Sequence, residues 1–87
     1  MRVIRKPIPM EAWQYKGDVP KDTPDWVIDA TEPVVAGFTS PVLVGLVLLC
    51  GKAMLRLSLN DWLIKETSGD IHIVKPGVFQ FNYEEAL

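Results

Sequence analysis

The second half of the chain alternates with a period of two. Ala53, Leu55, Leu57 and Leu59 fall on one side and Met54, Arg56 and Ser58 on the other, which is the spacing of a β-strand. Ahead of it, Val42 to Cys50 is almost continuously apolar, with Pro41 in front and Gly51-Lys52 behind. That pattern suits a strand buried on both faces or covered by a partner chain, so it is expected to be central in a sheet or at a subunit interface. Asn60-Asp61 then turns the chain. Trp62 to Lys65 and Ile71 to Lys75 form a predicted hairpin across Glu66 to Asp70, where Gly69 supplies the positive φ that such turns often need.

The first half is less regular. Pro7 and Pro9 favour an edge strand or an irregular start, because neither can donate to a ladder. Past them, a strand places Glu11, Trp13 and Tyr15 on one face and Met10, Ala12 and Gln14 on the other, up to a turn at Lys16-Gly17-Asp18. Asp22-Thr23-Pro24-Asp25 signals the start of a helix over Pro24 to Ala30, with Asp25 favourable at its N-terminus. Thr31 to Ser40, with Pro33 near its start and Gly37 in the middle, reads as a loop. The predicted class is α+β, mostly β: a small antiparallel sheet or partly open barrel of about five strands with one short helix. All 87 residues are expected to form a single domain.

Composition narrows the choices. With 48% hydrophobic and 23% charged residues the chain is expected to fold. A core built from 87 residues leaves a modest stability margin, so a homo-oligomer is expected. Trp13, Trp26 and Trp62 are expected to anchor that core. A net charge of −2 argues against strong nucleic-acid binding. Val34 to Cys50 carries no charge, yet Gly37, Pro41 and Gly45 interrupt it, so no membrane span is expected. Cys50 is the only cysteine, which excludes an intrachain disulfide; at the end of an apolar run it is expected to be a buried, inert thiol in a reducing compartment.

Catalytic chemistry lacks its parts. His72 is the only histidine, and its neighbours Ile71 and Ile73 point to a surface or cross-strand position. Asp61, Glu66 and Asp70 flank the final hairpin without the spacing of a calcium loop, and turn roles are expected for them. The six glycines are scattered and form no phosphate loop. No enzyme activity, metal or cofactor is therefore expected. One candidate binding face remains on the first strand. There Trp13 and Tyr15, near the cations Arg5, Lys6 and Lys16, have the residue types that stack a nucleotide base while holding its phosphate.

Both ends carry a resemblance. Lys6-Pro7, then Glu11-Ala12-Trp13-Gln14-Tyr15 and Gly17-Asp18, followed much later by Asp61-Trp62-Leu63-Ile64, Gly69, Lys75-Pro76-Gly77-Val78-Phe79 and Tyr83-Glu84, resemble a set of small phage and prophage proteins. The match spans about half of the chain and leaves out residues 31–50. Asn60 and Gly77 depart from it: the family usually has glycine at the first position and often an acidic residue at the second. The resemblance implies a phage origin and the cytoplasm of a bacterial host cell as the working location. It carries no established activity and transfers no functional residues. By analogy with phage accessory proteins, the expected function is non-enzymatic binding that inhibits or sequesters a host protein, with host defence as the target class. The alternatives are a structural or assembly protein of the virion and a weak nucleotide or nucleic-acid-binding module.

Overall fold

The structure is a computed structural model that describes residues 1–3 and 9–83. Along the chain run β1 (Glu11–Gln14), α1 (Asp25–Ala30), β2 (Thr31–Ala36), β3 (Val42–Cys50), β4 (Ala53–Arg56), β5 (Trp62–Lys65), β6 (Ile71–Val74) and α2 (Pro76–Asn82). The class is α+β and mostly β. The strands form two open antiparallel sheets of three, ordered β1-β5-β6 and β2-β3-β4, so the chain builds two half-sized sheets in place of one larger one.

One core joins them. Leu63 enters it from the first sheet and Tyr15 from just past the end of β1, Leu46, Leu48 and Leu57 from the second sheet and the segment just after β4, and Val27 from α1. Pairing within the first sheet explains the sorting. Trp13, Leu63 and Ile73 are cross-strand neighbours on the core side, whereas Gln14, Trp62 and Val74 form a row on the opposite face. On that second face α2 docks by stacking Phe79 on Trp62. Trp62 therefore anchors the helix, while Trp13 and Trp26 pack beside the core.

Two elements differ from the sequence expectation. The predicted loop begins with six residues of strand, because Thr31–Ala36 pairs with β3 from Thr31↔Leu48 to Ala36↔Val42. A register shift between Val34 and Val35 leaves Val44 as the extra residue on β3, a bulge that bends the ribbon. Past Lys75, where the single short helix expected from sequence is not placed, a second helix forms, with Pro76 in the first turn, where its missing N–H leaves no bond unmade. At α1 the expected capping side chain is not used. Pro24 occupies the cap position, and its carbonyl accepts from the Val27 and Ile28 N–H groups. Thr23 is buried nearby, with its hydroxyl unpartnered.

The expectation for β3 holds in its middle and fails at its ends. As the central strand of its sheet it buries Gly45, Leu46 and Leu48, but Val42, Val44 and Leu49 are exposed. Cys50 is exposed as well, since it closes the hairpin into the turn at Gly51-Lys52 and lies beyond the core. The molecule is elongated: its extents are 65 × 26 × 22 Å and its radius of gyration is 15.3 Å, against about 12 Å for a compact chain of this length.

Candidate functional site

The face proposed from sequence assembles only in part. Trp13 and Tyr15 lie 6.2 Å apart between ring centroids, tilted by 39°. Tyr15, however, is only 5% exposed and belongs to the core, so its ring has no open face to offer a base. Its backbone explains the burial, because the Tyr15 N–H donates to Asp61 O at 2.9 Å and Tyr15 O accepts from the Asn60 N–H at 2.8 Å. These bonds splice the end of β1 into the turn before β5. Lys16 is exposed, and its Nζ stands 3.5 Å from Asn60 Oδ1. Arg5 and Lys6 lie outside the described residues.

The carboxylates do not converge. Asp61 precedes β5, whereas Glu66 and Asp70 sit past its other end, where the Glu66 N–H donates to Asp70 O and Ser68 Oγ donates to Asp70 Oδ2. Asp61 is no surface turn residue. It is 1% exposed, and its Oδ2 accepts from Lys75 Nζ and from the Ser58 N–H, each at 2.9 Å. Oδ1 takes a second Lys75 bond at 3.2 Å. The pair ties the start of β5 to the end of β6. Among the described residues, no three metal-ligating side chains stand together as a site, and no helix is long and apolar enough to cross a membrane.

Sequence reading missed two features. The first is a ladder of rings: Trp62 and Phe79 stack at 3.8 Å with 5° between planes, and Phe79 and Tyr83 follow at 5.2 Å and 13°. The spacing of Phe79 and Tyr83 at i and i+4 was a helical signal, but Gly77 and the β-forming residues around it masked it. The second is the ribbon of β2 and β3. Its uncharged far end exposes Val35, Val42 and Val44, with Phe38 standing clear of the surface at the tip. Gly37, at φ 101°, makes the reversal, and a Cβ there would lie 2.9 Å from Ser40 O. The absence of charge from Val34 to Cys50 was the visible sign. Comparison with protein-family models, curated proteins and solved structures finds no match to this chain.

Proposed function

We propose that this protein acts by binding rather than catalysis, and that it inhibits or sequesters a protein of a bacterial host cell, host defence being the target class. The observation that supports this reading is the far end of the β2–β3 ribbon, without charge from Val34 onward, with Phe38 fully exposed and Val35, Val42 and Val44 close behind it. Aromatic residues, phenylalanine included, are enriched at the cores of protein interfaces, and charged residues are depleted there. Charges at such a site would resist desolvation, and this ribbon carries none from Val34 to Cys50. The phage-like motifs at both ends of the chain are the ground for placing the partner in the bacterial cytoplasm. Tyr15's burial counts against the nucleotide-binding alternative, since it leaves Trp13 and Lys16 without the second ring.

The test is capture followed by titration. The immobilised protein is challenged with bacterial lysate, the retained protein is purified, and its affinity is measured by calorimetry for the native chain and for Phe38→Ser. Affinity should fall by roughly tenfold or more, which corresponds to loss of about 1.4 kcal/mol or more. Equal affinity for the two chains, or no protein retained above the bare matrix, overturns the proposal.

A further inference from the structure

The two edges of the β2-β3-β4 sheet are not alike. In an antiparallel pair, residues alternate between those that bond their neighbour and those whose N–H and C=O point away. The Leu57 N–H donates to Leu46 O at 2.9 Å, which sets the phase across β3 and β4. Leu48 with Leu55 and Cys50 with Ala53 are then the bonded pairs, and Met54 and Arg56 aim their backbone groups outward. On β2 the same phase turns Thr31 and Pro33 outward. Proline there has no N–H to offer, so the outer edge of β2 is blunted. The edge of β4 has no such block. Among the described residues nothing bonds to its outward N–H groups, and beside them Met54 is 66% and Leu55 46% exposed.

We infer that β4 is the interface of a homodimer, in which β4 of one copy pairs antiparallel with β4 of a second about a two-fold axis at Leu55. The two three-stranded sheets become one of six strands. Phase and charge select this register. Only outward-facing residues can bond across the edge, so Met54 and Arg56 must face Met54 or Arg56 of the other copy. An axis at Met54 would set Lys52 opposite Arg56, and like charges directly opposite are destabilising. An axis at Arg56 would set Met54 opposite Ser58 and leave it without an apolar neighbour, while the Arg56 guanidinium itself reaches back over β3 to donate to Val44 O at 3.1 Å and leaves only its stem to the edge. With the axis at Leu55, Met54 lies against the aliphatic stem of Arg56, Lys52 lies opposite Ser58, and the two Leu55 side chains meet in a non-hydrogen-bonded pair. On the face opposite Leu55, exposed Leu49, the cross-strand neighbour of Met54, extends the apolar strip that Met54 begins. A second copy also supplies the extra burial that an 87-residue chain lacks. The inference does not depend on the host-protein reading, because the ribbon tip at Phe38 stays free in this arrangement.

Four strand bonds and a narrow apolar strip make a small interface, so the dissociation constant is expected at about 10–100 µM. Sedimentation equilibrium of the full chain across that range should show mass rising from 9.8 kDa towards twice that value. Met54→Pro removes an N–H that serves no bond within the chain, and it should weaken the dimer by roughly tenfold or more while the monomer keeps its fold. A second arm reads the register directly. With Cys50→Ser as background, Leu55→Cys sets two thiols across the axis at a Cα separation of about 4.5 Å, within disulfide reach, and under mild oxidation it should cross-link much faster than Ala53→Cys. Three results overturn the inference: a mass of 9.8 kDa at every concentration, a dimer indifferent to Met54→Pro, or equal cross-linking of the two cysteines. Should Met54→Pro unfold the chain, the cysteine arm decides.

Discussion

At Asp61 a carboxylate lies 1% exposed, a position that costs free energy unless the charge is answered. The Ser58 N–H and the Lys75 ammonium answer it, but unequally, since the Lys75 side chain is 62% exposed and its half of the pair is screened by water. Asp61→Ala removes both partners' acceptor and leaves the Ser58 N–H without one, so a loss of about 2–4 kcal/mol is expected in urea unfolding. Lys75→Met should cost less, about 1 kcal/mol, because water reaches the exposed end of the pair. Equal losses from the two changes would mean that the ion pair, and not the Ser58 bond, carries the stabilisation. One residue earlier, Asn60 holds φ at 72°, in the left-handed region. Asn60→Ala should lower stability by about 1 kcal/mol and Asn60→Gly by much less, measured the same way, because only glycine enters that region without a Cβ conflict.

Helix α2 has seven residues, too few to persist alone, and its cap uses no side-chain bond. Its hold on the protein is the stack of Phe79 between Trp62 and Tyr83. Phe79→Ala should therefore release α2 while both sheets survive. Amide exchange along Pro76–Asn82 should rise to that of an unstructured segment, with β5 and β6 still protected; protection unchanged in α2 would show that the stack is incidental. This helix also marks where sequence reading stopped. The strands β3 to β6 were legible because each is a short apolar or alternating run bounded by Gly, Asn or Asp. For α2, Gly77 and the aromatic residues argued locally for extended chain, and only the tertiary stack with Trp62 reverses that preference. β2 was hidden by Pro33, which reads as a strand breaker until the sheet places it on an outer edge. At the candidate site, alternation put Trp13 and Tyr15 on one face correctly. It could not say that this face looks inward, because that depends on the second sheet.

The two sheets are separate in hydrogen bonding yet share one core, which bears on how the whole molecule unfolds. Leu63 reaches the core from the first sheet and Leu46 from the second, and both are fully buried. Neither sheet could bury these side chains alone, since three short strands leave one face open without a partner layer. The molecule should therefore lose both sheets in one transition. Leu63→Ala and Leu46→Ala should each cost about 2–4 kcal/mol, a large fraction of the stability expected for a chain this size. Under urea, tryptophan fluorescence should follow mainly the first sheet, which carries Trp13 and Trp62 against Trp26 alone on α1, while far-UV circular dichroism averages both sheets. The two signals should share a midpoint in the native protein and in each variant. Split midpoints, with Leu46→Ala shifting only the later or only the earlier phase, would mean that the β2-β3-β4 sheet is an independent unit. The core would then be a docking surface between two bodies instead of the place where one fold closes.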